Sequence, residues 1–209
     1  MEINLYLNKY RVLRYNFFRW RYEVNVLYKV TLALFFACLT GLLAQFRFYL
    51  PGTPVPVTGQ VFGVLIAGIL LGKWGGISQC MYLGIGSIGV PWFSGFNGGI
   101  AYIAGPTGGY IIGFIFAAFF IGYVVDRYIK SRKFLSMLAI MFFATFVLIY
   151  VPGLIQFYLW TGSSIGISEL FIMCVLPFLA ADFIKAVIVA TIATSIAPKG
   201  AYGREVDIV

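Results

Sequence analysis

Two charged side chains, Asp182 and Lys185, stand three residues apart inside the apolar run Ala180-Ala181-Asp182-Phe183-Ile184-Lys185. At that spacing a helix presents both on one face, so an acceptor carboxylate and a donor ammonium can point into one place. At the centre of a bilayer each charge costs about 2.5–3.5 kcal/mol, whereas Leu, Ile, Phe and Val each return about 0.3–0.6 kcal/mol. The eleven such residues between Ile172 and Ile192 return roughly 3–7 kcal/mol, which merely cancels the two charges. The pair is either a self-neutralising bridge that fixes packing or the polar part of a ligand site.

A second candidate lies in Trp92-Phe93-Ser94-Gly95-Phe96-Asn97-Gly98-Gly99, too apolar for an ordinary solvated loop and too rich in glycine for a helix. Irregular backbone at membrane depth is tolerated only where it lines a protected cavity. Asn97, the only amide side chain between residues 92 and 110, can face a ligand or hydrogen-bond its own turn. Trp92, Phe93, Phe96 and Tyr102 can wall a pocket or anchor the chain at the membrane interface.

What is missing bounds the chemistry. The chain has no His, which removes the usual general base near neutral pH and the commonest metal ligand. Cys38, Cys80 and Cys174 are far apart in apolar runs, without the spacing of a zinc site or a disulfide framework. Gly68 to Trp74 lacks the spacing and hydroxyl residue of a phosphate loop. With only Asp182 and Lys185 to work with, an enzyme is not expected, nor is a resident metal or cofactor.

The elements that position these residues follow from hydropathy. Of 209 residues 61% are hydrophobic, and only 15 basic and 7 acidic residues carry charge. Ordinary globular chains are roughly 45–50% apolar and about 25% charged, so the surplus apolar surface must face lipid. Apolar runs fall at about 30–46, 61–72, 77–91, 111–125, 134–159 and 170–197. The expected fold class is an all-α integral membrane protein of six transmembrane helices, with Pro- and Gly-rich loops lining a cavity. The expected domains are a basic N-terminal arm at 1–29, a membrane domain at 30–197 and a polar tail at 198–209.

Six crossings place both termini on one side. Thirteen of the fifteen basic residues then share that side, including Lys73, four in the 126–133 loop, Lys199 and Arg204. Arg47 lies opposite, and Lys185 within a span. This asymmetry makes both termini cytoplasmic in a plasma membrane. It also accounts for the net charge of +8 without nucleic acid, the basic arm resting on anionic lipid headgroups. The run after the arm is too long for a signal core and lacks a small-x-small cleavage site, so it reads as an uncleaved helix. Along it Ala33, Ala37 and Gly41 form a small-residue ridge where a partner helix, or another helix of this chain, could pack closely.

Four motifs occur in order: Pro54-Val55-Pro56-Val57-Thr58-Gly59-Gln60, Phe93-Ser94-Gly95-Phe96-Asn97-Gly98-Gly99, Gly105-Pro106-Thr107-Gly108-Gly109-Tyr110, and Asp182-x-x-Lys185. Together they resemble the BioY family, the biotin-binding S-component of energy-coupling-factor (ECF) transporters, from about Tyr28 to Ala197. The resemblance implies a membrane-embedded vitamin-capture subunit working with a transmembrane coupling protein and two cytoplasmic ATPases. It implies Asn97, Asp182 and Lys185 as polar contacts to biotin, and the Ala33-x-x-x-Ala37 ridge, extended by Gly41, as the face toward the coupling protein. Gln60, Trp92 and Phe93 join the expected contacts, and Arg47, the lone basic residue outside, is the expected partner of the ligand carboxylate. A homo-oligomer remains open. The competing reading is a self-sufficient ion-coupled secondary transporter using Asp182 as its proton or sodium site, although the internal repeats that would favour it are not evident.

Overall fold

The computed structural model describes residues 2–202, so Arg204 of the tail lies outside the described residues. Helix α1, Glu2–Glu23, is followed by a two-residue break in which the Asn25 side chain accepts from the Tyr28 N–H at 3.1 Å and caps α2, Val26–Gln45. Strand β1, Arg47–Phe48, pairs antiparallel with β2, Val57–Thr58, and closes the proline-rich loop between them. Helices α3, Gln60–Leu71, and α4, Trp74–Ser87, are followed by the glycine-rich loop, the one-turn helix α5, Ile100–Ile103, and α6, Gly108–Arg127. A 3₁₀ turn, Ile129–Arg132, leads to α7, Phe134–Phe143. A π-helical stretch, Ala144–Ile149, joins α7 to α8, Tyr150–Trp160, after which come α9, Ile167–Cys174, and α10, Leu176–Ile196.

Among the described residues, four stretches are long and apolar enough to cross a membrane: Val26–Gln45, Gly108–Arg127, Phe134–Trp160 and Leu176–Ile196. Helices α3 and α4, with 12 and 14 residues, rise only about 18 and 21 Å, less than the roughly 30 Å hydrocarbon layer. The bundle is built around α6, whose membrane-length window is 56% buried against 28% for α2 and 33% for α10. Small residues on α6 make this possible. Gly122 lies against the Gly72 backbone at the end of α3, leaving no room for a Cβ. On the periphery, Leu34, Phe35 and Leu42 of α2 and Phe183, Ile184 and Ile188 of α10 remain exposed, the surface a bilayer covers.

Three features depart from the sequence expectations. The basic arm is a 22-residue helix, and one of its cations is buried: Arg21 is 5% exposed and its Nη2 donates to Asp126 Oδ1 at 2.6 Å. The same guanidinium reaches the Tyr202 hydroxyl and the Ile69 and Leu70 carbonyls, each at 3.1 Å. Arg132 closes this end of the bundle by donating to the Pro198 and Gly200 carbonyls. Burial, and then the Asp126 carboxylate, push the Tyr202 pKa up, so its hydroxyl stays protonated and donates to Asp126.

The expected single run 170–197 is broken at Val175, since Pro177 at the start of α10 cannot continue α9. The Tyr110 hydroxyl donates to the freed Cys174 carbonyl at 2.8 Å. In the run 134–160, Pro152 lacks an N–H for the Leu148 carbonyl, and the chain widens into π turns immediately before it.

Candidate functional site

The π turns bring Ile149 and Tyr150 to a cavity bounded by the proline loop, α6, α10 and the glycine-rich loop. The space is about 540 Å³ including its open mouth. Its apolar walls are Val55, Val57, Ile111, Phe114, Ile149 and Phe178, mostly branched aliphatic and aromatic faces suited to a hydrocarbon or thioether.

One end of the cavity is polar. Asp182 sits nearly two turns inside α10, 5% exposed. Lys185 Nζ donates to Asp182 Oδ1 at 2.6 Å and to the Thr58 carbonyl at 2.7 Å, and the Tyr150 hydroxyl donates to Asp182 Oδ2 at 2.8 Å. The expected helix-face pairing is therefore present, and two long-range contacts complete it. Both carboxylate oxygens keep lone pairs for a ligand N–H, and the ammonium has used only two of its three protons.

From Thr58 a run of hydrogen bonds continues along the wall. Thr58 Oγ1 donates to Gln60 Oε1 at 2.8 Å, Gln60 Nε2 donates to the Tyr82 hydroxyl at 2.8 Å, and that hydroxyl donates to the Trp92 carbonyl at 3.2 Å. Gln60, 6% exposed at the start of α3, lines the cavity with each polar atom making one such bond, so it ties the polar end to the glycine-rich loop.

Trp92 and Phe93 stand behind the wall rather than on it. Phe93 is fully buried, stacked on Tyr102 at 5.1 Å and edge-on to Tyr82 at 5.3 Å. The Trp92 indole donates to the Tyr82 carbonyl at 3.0 Å. Gly86 supports this platform from below, because a Cβ there would run into both the Phe93 and Trp92 rings. What the platform offers to the cavity is Tyr102 and, from the loop, Ser94. Among the described residues the buried Ser94 hydroxyl neighbours the Tyr102 hydroxyl but makes no well-formed hydrogen bond, which leaves it able to meet a ligand.

Asn97 is not brought to the cavity. Its side chain is exposed, its Nδ2 donates to the Ser94 carbonyl at 2.8 Å, and the Phe93–Asn97 bridge closes the same turn. The turn is tight because Phe96 and Gly95 both adopt positive φ, 56° and 81°. Arg47 is exposed on β1, donates to the Tyr49 hydroxyl at 3.3 Å and lies over Gly95. It borders the loop that carries Ser94 without lining the cavity.

The small-residue ridge is covered by the chain itself. Ala33 and Ala37 are 0% exposed and Gly41 lies against Trp92, because α2 packs on α3, α4 and the glycine-rich loop through this face. The ridge expected to face the coupling protein thus packs against this chain's own helices, and close helix approach in lipid needs small residues equally for an internal neighbour.

Sequence reasoning did not single out Tyr150, Tyr82, Ser94 or Thr107, the last of which also lines the cavity. The one signal for Tyr150 was its place two residues before Pro152, where a helix must loosen.

Residues 17–201 match the sequence profile described as the BioY family. The chain is 46% identical over 148 residues to a probable biotin transporter BioY of Methanothermobacter thermautotrophicus, covering 68% of this chain and 94% of that protein. It is 34% identical over 173 residues to the biotin transporter BioY of Rhizobium etli, covering 80% and 91%. Among solved structures, the S-component for biotin from an ECF-type ABC transporter superposes with a TM-score of 0.73 at 26% identity, covering 86% of this chain and 97% of that one.

Proposed function

The chain belongs to the BioY family, and from that premise we propose that it captures biotin at the membrane as the S-component of an ECF transporter. It is a multi-pass membrane protein and a transporter subunit, not an enzyme. The observation that carries the reading is the Tyr150–Asp182–Lys185 group at the end of an apolar cavity. A ureido ring presents two N–H donors and one carbonyl acceptor, a thioether ring presents apolar surface, and the acyl tail ends in a carboxylate. Asp182 accepts from a ureido N–H, Lys185 donates its remaining proton to the ureido carbonyl, and Ser94 meets a polar atom farther along the ligand. Charge-assisted contacts of this kind are each worth about 1.5–3 kcal/mol.

Arg47 receives the tail carboxylate at the mouth, where its guanidinium lies over the loop that carries Ser94. Asn97 acts on the ligand through that loop, holding the Ser94 carbonyl. Six crossings with both termini in the cytoplasm are supported by the thirteen basic residues on one side. They are also supported by the meeting of Arg21, Asp126, Arg132 and Tyr202 at one end of the bundle, away from Arg47. A transmembrane coupling protein and two ATPases then drive inward release.

Calorimetry of the purified chain with biotin, desthiobiotin and lipoate tests this. Biotin binds tightly, desthiobiotin keeps the ureido contacts but loses the thioether packing and binds more weakly, and lipoate, without a ureido group, does not compete. Equal affinity for biotin and lipoate would overturn the assignment.

A further inference from the structure

Helix α1 carries a feature that vitamin capture does not use. Its inner face is fastened to the end of the bundle by Phe18, packed on Tyr202 at 5.5 Å, and by the buried Arg21. The Tyr10 hydroxyl and Arg14 Nη1 both donate to the Ser195 carbonyl, at 2.8 and 3.0 Å. Beside that face, Tyr6, Tyr10, Leu13, Phe17 and Trp20 follow one another at steps of four, three, four and three residues, which keeps them on one stripe. All five are exposed, from 43% to 69%. Apart from the Tyr10 hydroxyl, held by Ser195, neither the bundle nor the C-terminal segment up to Tyr202 covers them.

We infer that this stripe is a lipid-surface contact, lying in the headgroup layer of an anionic membrane leaflet. Four of its five residues are aromatic, the composition that settles at a membrane interface, where a ring has one side apolar and a polar tip wet. Charge is complementary to anionic phospholipid: between Glu2 and Glu23 the helix has five basic and two acidic residues. Lys9 and Arg14 border the stripe on opposite sides, and Arg11 is exposed on the same helix. Depth is fixed by connection. Only Val24 and Asn25 separate α1 from the membrane-length helix α2, and Lys29 of α2 donates back to the Tyr22 carbonyl at 2.8 Å. A helix so held at the ends of α3, α6 and α10 stays at the level of the phosphates, where each basic side chain near the surface contributes about 1 kcal/mol.

The experiment uses the full chain with Trp74, Trp92 and Trp160 replaced by Phe, so that Trp20 is the sole emitter, in vesicles of phosphatidylcholine with or without phosphatidylglycerol. Brominated acyl chains should reduce Trp20 emission by about twofold or more when phosphatidylglycerol is present. The loss should shrink at about 1 M salt, where the screening length is about 3 Å, and in Lys9→Gln/Arg11→Gln. In the unsubstituted protein, a photoreactive phosphatidylglycerol should label the stripe and spare Asn8 and Arg19, which are exposed on the opposite side of the helix. Three outcomes would overturn the inference: Trp20 emission indifferent to bromine in both membranes, labelling spread over all faces of α1, or a stripe shielded only when the coupling protein is added. Biotin affinity, read on the unsubstituted protein, stands or falls separately.

Discussion

Replacing Asp182 separates a packing bridge from a ligand contact. In Asp182→Asn the amide keeps the volume and still accepts from Tyr150, but Lys185 loses the ionic partner at 2.6 Å and retains only the Thr58 carbonyl. Breaking a fully buried pair costs about 3–5 kcal/mol. Here the Lys185 side chain is 18% exposed at an open cavity, so water relieves part of that, and the loss of folding stability should be about 1–2 kcal/mol. Biotin loses a charge-assisted acceptor worth about 1.5–3 kcal/mol, which weakens binding by about 10- to 150-fold. The apolar triple variant Asp182→Leu/Lys185→Met/Tyr150→Phe sharpens the contrast, because replacing a whole buried polar group with packed apolar residues is often neutral or stabilising. It should melt at or above the wild-type temperature and fail to bind biotin in calorimetry. An Asp182→Asn protein that melts lower yet binds biotin within twofold of wild type would refute the reasoning, and Asp182 would then be a packing residue.

Asn97→Ala removes a hydrogen bond within a turn, so it should lower stability by about 0.5–1.5 kcal/mol and weaken biotin binding less than Asp182→Asn does; calorimetric losses of equal size would mean that the loop reorganises to present Asn97 to the ligand. Ala37→Leu inserts three carbons into a site with 0% exposure and should destabilise by about 1–3 kcal/mol, reducing binding and coupled uptake together; lost uptake with intact binding and melting would return the ridge to a partner. Arg21→Ala leaves Asp126 with Tyr202 as its side-chain partner among the described residues, and thermal unfolding should register a loss of about 1–3 kcal/mol with biotin affinity unchanged. Uptake that survives removal of the ATPases and collapses with an ionophore would favour an ion-coupled transporter.

The sequence was most informative where physics is local. An i,i+3 pair on a helix meets wherever that helix is placed, and Asp182 and Lys185 do. Prolines and glycines interrupt helices by their own covalent structure, so the 47–59 and 92–99 connections were legible as non-helical, whereas the end of α4 at Ser87, before the expected 91, was not. Charge counting found the polar end that α1 closes, although not that Arg21 would be buried there, because an arginine that reaches a distant carboxylate looks in sequence like any other.

What the amino-acid sequence determined by itself is that the chain lives in lipid, roughly where its apolar runs fall, which family it resembles and which charged pair is out of place in a membrane. Tertiary structure alone decided which apolar sides face protein and which face lipid. In a membrane both sides are hydrophobic, so the alternation that marks an inner face in water is absent, and Ala33, Ala37 and Gly41 proved to be internal for that reason. It alone decided that Tyr150, 32 residues from Asp182, completes the polar group, while Asn97 turns back on its own loop. Those outcomes depend on how α6, α8 and α10 pack, and no spacing along the chain encodes that directly.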